Sequence, residues 1–340
     1  MRTEKFRKWA GICLLAVCMA AGSGLAWADE STQEPYSDRD LVVATQIAYY
    51  DFTQEQLEQH GGSATVAELL EKTDTRKNLQ SKRNNAEKDL EKEMYKSGMD
   101  LYDEITASGS RYGSWKVIDI RDTNEENGFY GLLLDTGSDC AILAFRGSES
   151  TDTNQLINDW LNADFGLLMD HDTTQQKVAA AYLADVDAKY GYARYAITGH
   201  SLGGNLAEHT AITAPDNIRA KLVETVNFDG PGFSQTYLDR HKAEIEKVQI
   251  PVRLCRWSLV GALLRHASCT SDRVVQVNSS IQPFHNKESN YLRHSTAFLV
   301  YDNDQLVDGT EDLTAAAMRA SSRRVDQEVI KARNAKKNQG

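Results

Sequence analysis

The fold is decided by the stretch Tyr195–Thr213, which reads YAITGHSLGGNLAEHTAIT. Its first four residues form a short apolar run that predicts a buried strand, and a segment rich in small and apolar residues from about Gly204 predicts a helix. Between them lies the pentapeptide 199–203, a G-x-S-x-G pattern at a strand-to-helix junction. This is the context of a nucleophile elbow, a turn so tight that its flanking positions cannot carry a Cβ atom.

Ser201 is the candidate nucleophile of this turn, because an elbow raises the serine Oγ above the edge of the sheet. The backbone N–H of Leu202 faces the same space at the positive end of the new helix, which makes it a candidate oxyanion donor. A serine hydroxyl is a weak nucleophile at neutral pH, so the site also needs an imidazole base and an acid that orients it. His200, inside the turn, is expected to be structural, with its side chain directed away from that of the nucleophile.

Three histidines downstream of the predicted strand that ends at Trp257 are candidates for the base, namely His266, His285 and His294. In α/β-hydrolases the histidine comes last in the chain. His294 is favoured because it directly precedes the apolar run 297–301, which predicts a strand. His285, in a more polar loop, is the alternative, and His266 has the least support because it lies on a predicted helical turn.

The orienting acid is predicted to be Asp229, which closes the predicted strand 222–228. The end of the next strand offers no carboxylate, and Asp272 is the nearest alternative. A second oxyanion donor is predicted at Ser148. An early apolar strand ends just before Arg146, and Ser148 comes two residues after Arg146. Arg146 itself is expected to form a structural ion pair.

Strands alternate with helices after residue 130, which predicts an α/β fold with a mostly parallel central sheet and helices on both faces. In such sheets, functional residues gather beyond the carboxyl ends of the strands. The chain of 340 residues is long enough for one large domain with additions. The predicted segments are a signal peptide at 1–28, an N-terminal helical region packed on the core at 29–112, the α/β-hydrolase core at 113–310 and a C-terminal helix or tail at 311–340.

The first 28 residues predict export to the periplasm or the medium. They have a basic start, an apolar stretch from Trp9 to Ala21 and an A-x-A pattern that ends at Ala28, as secretory signal peptides do.

The whole chain has a net charge of −11. An acidic surface argues against nucleic acid as a partner and is compatible with peripheral contact with neutral lipid. The composition does not predict an oligomeric state.

Two further features are left open by the sequence. The segment 74–104 is highly charged with helically spaced apolar residues, which indicates either one long solvated helix or a lid or partner-binding arm. Cys255 and Cys269 are close enough in the chain to pair after export, whereas Cys140 lies in an apolar strand pattern and is expected to be a buried thiol.

The motifs together resemble the class 3 lipases, the fungal-type triacylglycerol lipase family of α/β-hydrolases. The likeness lies in the run 144–148 (AFRGS) with Trp160 twelve residues further on, in the run 198–204 (TGHSLGG), and in a tyrosine three residues before His294. A closer likeness, over roughly residues 38–308, is to a bacterial lipase-like branch. That branch has similar segments at 40–52, 229–233 and 258–261.

The resemblance implies ester hydrolysis without a metal or cofactor. Ser201 is then the nucleophile, His294 the base, and Ser148 and Leu202 the oxyanion hole. One position departs from the family, since class 3 lipases usually place the acid where Ser258 stands here. This departure leaves the acid open and favours Asp229.

The sequence therefore predicts an exported serine hydrolase that cleaves carboxylic esters, with lipid or phospholipid acyl esters as the expected substrates. Two other interpretations remain. One is a catalytically silent envelope or binding protein on a hydrolase scaffold, and the other is a serine peptidase or amidase of the same fold.

Overall fold

The computed structural model describes residues 35–148, 172–279 and 292–310. The predicted signal peptide, the C-terminal tail, Trp160 and His285 lie outside these ranges. The predictions made for them therefore stay predictions, as do the predicted domain boundaries.

Eight strands form one sheet, and they lie side by side in the order in which they occur in the chain. The strands are β1 Ala64–Thr65, β2 Lys116–Thr123, β3 Phe129–Asp135, β4 Cys140–Phe145, β5 Arg194–His200, β6 Leu222–Phe228, β7 Val252–Arg256 and β8 Thr270–Val274. The pairs from β1 to β4 are antiparallel, and those from β4 to β8 are parallel. The mostly parallel sheet is confirmed, with an antiparallel portion at its N-terminal side.

Helices connect the strands and precede the sheet. Those before β2 are α1 Asp38–Ile47, α2 Gln54–Gln59, α3 Val66–Leu70, α4 Thr75–Asn85 and α5 Asp89–Thr106. The later ones are α6 Asn124–Asn127, α7 Thr174–Tyr190, α8 Leu202–Thr213, α9 Asp216–Arg219, α10 Gln235–Arg240 and α11 Lys242–Ile245. A 3₁₀ turn at Thr296–Phe298 leads to a small hairpin of β9 Tyr301–Asp302 and β10 Gln305–Leu306.

Both faces of the sheet are buried, and β4 shows how the sequence encodes this. Ile142 and Ala144 pack into the core that α1 covers, whereas Leu143 and Phe145 pack into the core that α7 and α8 cover. A strand that is buried on both faces needs a continuous apolar run instead of alternation. The α/β-hydrolase architecture that the sequence predicted is therefore confirmed.

Local signals set the ends of the helices that cover the sheet. Ser37 caps α1 through a capping box with Asp40, and Thr173 caps α7 in the same way with Gln176. The helix α7 ends at Gly191, whose φ of 61° is a left-handed conformation that glycine adopts without strain.

The predicted single helix over 74–104 is wrong, because the segment forms the two helices α4 and α5. The chain leaves the helical conformation at Ala86, where ψ is 131°. Two asparagines precede this break, and asparagine is a poor helix former. The two helices pack against each other as a hairpin, and Arg76 and Asp103 form an exposed ion pair between them at 2.5 Å.

Two other predicted elements also differ. The predicted strand 297–301 is mostly the 3₁₀ turn, where Ser295 accepts a hydrogen bond from the N–H of Ala297, and only Tyr301 enters a strand. The segment after Ser234 forms two short helices instead of one, with His241 as the boundary between α10 and α11.

Two questions about membrane insertion and thiols have direct answers for the described ranges. Within them, no helix combines the length and the apolar character that a membrane span needs. Cys140, Cys255 and Cys269 are all free thiols, and Cys140 is buried as expected.

Candidate active site

The turn between β5 and α8 has the strained geometry of a nucleophile elbow. Ser201 has φ 59° and ψ −130°, which a residue with a side chain rarely adopts. A Cβ atom on Gly199 would lie 2.2 Å from the carbonyl oxygen of Gly203, so glycine is required there. The N–H of Ser201 donates to the carbonyl of Phe228, 2.9 Å away, which anchors the turn to the end of β6.

Asp229 follows β6 directly and has its whole carboxylate occupied. Its Oδ1 accepts hydrogen bonds from the backbone N–H of Trp257 at 2.9 Å and of Ser258 at 3.0 Å. Its Oδ2 accepts from Nδ1 of His294 at 2.7 Å and from the hydroxyl of Ser258. Complete burial would raise the pKa of this carboxyl, but the bonds from His294, Ser258 and Trp257 outweigh it and hold the pKa below its usual value. Asp229 is therefore ionised at neutral pH.

The bond to Asp229 fixes the tautomer of His294. Because Nδ1 donates its hydrogen to the carboxylate, Nε2 of the neutral ring carries a lone pair. This Nε2 is buried and has no hydrogen-bond partner among the described residues. His294 and Ser201 line the same cleft. An unpaired imidazole acceptor in the same cleft as a serine is a group that can take the serine proton.

Ser258, at the position where the class 3 lipases place the acid, supports the acid from another strand. It follows β7, and both its N–H and its hydroxyl donate to Asp229. Its Oγ also lies 3.2 Å from Nδ1 of His294. The carboxylate that binds His294 is therefore that of Asp229 at the end of β6, and the end of β7 supplies Ser258 instead.

The other candidates for the acid and the base bind partners other than Asp229 and His294. Asp272 is in β8, where its carboxylate binds Nε of Arg256 at 2.6 Å, whereas the carboxylate that binds His294 is that of Asp229. His266 binds the buried Glu208 at 2.8 Å, away from the serine.

The segment 146–148 packs directly against the elbow, as the oxyanion prediction requires. A Cβ atom on Gly147 would lie 2.9 Å from Cβ of Ser201 and 2.6 Å from the carbonyl oxygen of His200. Ser148 lines the cleft together with Ser201, and Leu202 is the first residue of α8. Arg146 forms the expected ion pair, with Asp51 as its partner.

Sequence reasoning missed the contacts of His200, which is expected to point away from the site but lines the cleft. Its Nε2 lies 2.9 Å from the carbonyl oxygen of His294, and the two rings are 4.5 Å apart. The ring of Trp257 is stacked on that of His200, with the ring centres 5.8 Å apart. Burial and the neighbouring His294 lower the pKa of His200 to about 3, so the ring is neutral.

Tyr49, just after α1, links His200 to the oxyanion segment. A carbonyl oxygen only accepts hydrogen bonds, so Nε2 of His200 must carry the hydrogen and Nδ1 must be an acceptor. The hydroxyl of Tyr49 lies 3.3 Å from this Nδ1 and accepts the N–H of Gly147 at 3.0 Å. Tyr49 and His200 therefore connect Gly147 to the backbone of His294. No local pattern in the sequence could have indicated this link.

A buried ion pair braces the turn that carries the acid. Glu208 of α8 binds Nδ1 of His266 at 2.8 Å and accepts a bond from the side chain of Asn227 at 3.0 Å. Asn227 in turn accepts the N–H of Gly230 at 2.8 Å. Burial alone would lower the pKa of His266, but the Glu208 carboxylate raises it. Burial opposes the charge on Glu208 too, yet His266 and the hydrogen bonds lower its pKa.

We expect this pair to stabilise the fold within a defined pH window. Because the pKa of His266 is higher in the folded protein than in the unfolded chain, the protonated ring stabilises the fold below about pH 6.5. This stabilisation is lost as the pH rises through the pKa of the folded protein. Because the pKa of Glu208 is lower in the folded protein than in the unfolded chain, the carboxylate stabilises the fold above about pH 4.3. This stabilisation is lost as the pH falls through the pKa of the folded protein. The His266→Gln variant should lose about 3 kcal/mol between these limits. Urea unfolding from pH 4 to 9 measures this, and a difference that stays constant up to pH 9 would contradict it.

Comparisons with known proteins place the chain in a sequence family. A family model described as Mbeg1-like matches residues 109–329. No curated protein matches the sequence. No group of three or more potential metal-ligating His, Cys, Asp or Glu side chains occurs within the described ranges.

Solved structures of fungal lipases are similar to parts of the chain. The Rhizomucor miehei lipase–propeptide complex is 16% identical, with a TM-score of 0.36 over 54% of this chain and 68% of that one. Lipase II from Rhizopus niveus is 14% identical, with a TM-score of 0.37 over 53% of this chain and 80% of that one. A triacylglycerol lipase from Penicillium expansum is also 14% identical, with a TM-score of 0.33 over 48% and 70%.

Proposed function

The chain belongs to the Mbeg1-like family, and from that premise we propose that it is a serine hydrolase that cleaves carboxylic esters. The observation that carries the proposal is the buried Asp229–His294 pair, whose unpaired Nε2 belongs to the same cleft as Ser201. A carboxylate that fixes an imidazole beside a strained serine is the arrangement that serine hydrolases use.

Each residue has a defined step in the proposed reaction. Nε2 of His294 takes the hydroxyl proton of Ser201 as the serine Oγ attacks the ester carbonyl. The Leu202 N–H and Ser148 stabilise the negative charge on the tetrahedral intermediate. His294 then protonates the leaving alcohol, and water hydrolyses the acyl-enzyme by the reverse proton path. Asp229 stays ionised and stabilises the imidazolium.

Hydrolysis of matched substrates tests the proposal against its two rivals. The protein should hydrolyse p-nitrophenyl esters and leave p-nitroanilides of the same acyl groups intact. Faster cleavage of the anilides would indicate a peptidase or amidase instead. Absence of turnover of both substrate classes, together with no reaction with a fluorophosphonate, would indicate the silent binding protein.

Lipid or phospholipid acyl esters are the proposed natural substrates, and export to the periplasm or the medium is the proposed location. The basic and apolar start of the chain supports export. A fusion of residues 1–28 to a reporter enzyme should direct the reporter out of the cytoplasm, and retention of the reporter inside would contradict this.

Replacing Tyr49 with phenylalanine should slow ester hydrolysis about tenfold, in line with the loss of one or two buried hydrogen bonds. The change removes the acceptor of the Gly147 N–H and the contact to Nδ1 of His200. Steady-state kinetics measure the effect, and Tyr50→Phe, at the adjacent tyrosine outside the cleft lining, is the matched control. Equal rates for the two variants would show that the link does not position the site.

A further inference from the structure

We propose that Asn205 is a positioning residue for ester hydrolysis, because its side-chain amide ties the turn that carries Asp229 to the helix that carries Ser201. This inference rests on the proposed function, since it takes Ser201 and Asp229 in the roles assigned there. The effect of Asn205 on the reaction is indirect and passes through Asp229. Asn205 lies one helical turn after Ser201 in α8, and its backbone N is 3.4 Å from the carbonyl oxygen of Ser201.

The amide of Asn205 is buried and bonded to the turn that follows β6. The residue is 1% exposed, and a buried amide is costly unless its donors and acceptors are bonded. Its Nδ2 donates to the carbonyl oxygen of Pro231 at 3.0 Å and to that of Gly232 at 3.2 Å. Both carbonyls belong to the turn that begins at Asp229. The amide therefore uses its NH₂ group on the segment that carries the acid.

Gln176, which is also buried, fixes the direction in which this amide points. Its Oε1 accepts the N–H of Thr173 at 2.9 Å, in the capping box at the start of α7. A backbone N–H can only donate, so the NH₂ group of Gln176 must face Asn205, whose Oδ1 accepts from it at 2.8 Å. The NH₂ group of Asn205 must then face the turn, where both carbonyls can only accept. Each of the two amides thus has a single orientation.

The turn that carries the acid needs this support because its backbone is strained. Asp229 has a φ of 54°, a left-handed conformation that a residue with a side chain rarely adopts. Such a conformation persists only where the surrounding structure holds it. The turn also packs closely on the start of α8, since a Cβ atom on Gly230 would lie 2.7 Å from the backbone N of Asn205. Pro231, the next residue, has no N–H with which to anchor the turn.

The helix α8 therefore holds two members of the proposed triad. Its N-terminus follows Ser201 at the elbow, and its next turn bonds the carbonyls that come just after Asp229. Asp229 in turn binds the imidazole of His294. Without the bonds from Asn205, we expect Asp229 to relax toward a less strained backbone and His294 to lose its fixed position.

The ratio of the rates for two esters reports the position of His294 separately from the amount of folded protein. The departure of ethanol needs a proton from the imidazole, whereas p-nitrophenolate leaves without one. A displaced imidazole should therefore slow the hydrolysis of ethyl butyrate more than that of p-nitrophenyl butyrate. Because both rates come from one preparation, the unfolded fraction cancels from the ratio of their kcat/KM values.

The Asn205→Asp variant tests the tie directly. The side chain keeps its size and can still accept from Gln176, but a carboxylate cannot donate to the carbonyls of Pro231 and Gly232. The kcat/KM ratio of ethyl to p-nitrophenyl butyrate should fall at least about tenfold, a part of the roughly 10²- to 10⁴-fold that general acid–base catalysis contributes. An unchanged ratio would overturn the proposed role of Asn205.

The Gln176→Glu variant tests the tie from its other side and serves if Asn205→Asp does not fold. The new carboxylate can still accept the N–H of Thr173, but its second oxygen faces Oδ1 of Asn205 and repels it. The ratio should fall here too. Gln56→Glu is the matched control, because Gln56 accepts the N–H of Thr53 at 2.8 Å in the capping box of α2. Equal ratios in these two variants would overturn the proposal.

The outcomes separate this inference from the proposed function. If the wild-type protein hydrolyses both esters and neither variant lowers the ratio, the role of Asn205 is wrong and the hydrolase remains. If the wild-type protein hydrolyses neither ester, the hydrolase proposal fails and the role of Asn205 fails with it.

Discussion

Replacing Ser201 with alanine should lower kcat/KM for ester hydrolysis by about 10⁴-fold or more, which is the order of loss when a triad nucleophile is removed. The variant lacks the hydroxyl that attacks the ester in the proposed reaction, so the acyl-enzyme cannot form. Alanine introduces no larger side chain into the tight turn, and the fold should be retained.

The measurement is steady-state hydrolysis of p-nitrophenyl butyrate, with thermal unfolding as the test of folding. Ser114→Ala, at an exposed serine outside the cleft lining, is the matched control and should leave the rate unchanged. A Ser201→Ala protein that is folded and retains more than a tenth of the wild-type rate would exclude Ser201 as the nucleophile.

Replacing Asp229 with asparagine should lower kcat by about 10³- to 10⁴-fold, as expected when the acid of a triad becomes an amide. The two backbone N–H groups of Trp257 and Ser258 bind Oδ1 and will hold the amide oxygen there. The NH₂ group then faces Nδ1 of His294. Two donors cannot bond each other, so the imidazole must move its hydrogen to Nε2 and cannot accept the serine proton.

Asp272→Asn is the matched control for this variant, because Asp272 is the other acid that the sequence suggested and pairs with Arg256 instead. It should have nearly wild-type kcat. If Asp272→Asn lost activity and Asp229→Asn kept it, the assignment of the acid would be reversed.

The elbow turn and the place of Asp229 at the edge of the sheet could be predicted from sequence because local constraints and strand order specify them. Gly199 is required by atoms of Gly203 within the same turn, and Gly203 is required by the backbone of Phe145 and Arg146 at the end of the neighbouring strand. Asp229 directly follows β6, in which all residues but Val223 are buried, and neighbouring parallel strands bring their ends to the same edge of the sheet. Such features depend only on the neighbouring residues in the sequence or on the order of the strands.

Contacts between distant segments could not be predicted in this way. Tyr49 and His200 are 151 residues apart in the chain, and neither lies in a pattern that indicates its partner. The role of Ser258 depends on Asp229 reaching across from another strand. The break of the helix at Ala86, which creates the hairpin beside the cleft, depends on weak local preferences that packing decides.

The central claim is that an imidazole activates Ser201, and labelling with a fluorophosphonate tests it most directly. The reagent should modify the wild-type protein once, and peptide mass mapping should locate the label on Ser201. In His294→Ala, the rate of labelling should fall by about 10²-fold or more, since the general base is gone. A label on another residue, or an unchanged rate in His294→Ala, would contradict the account.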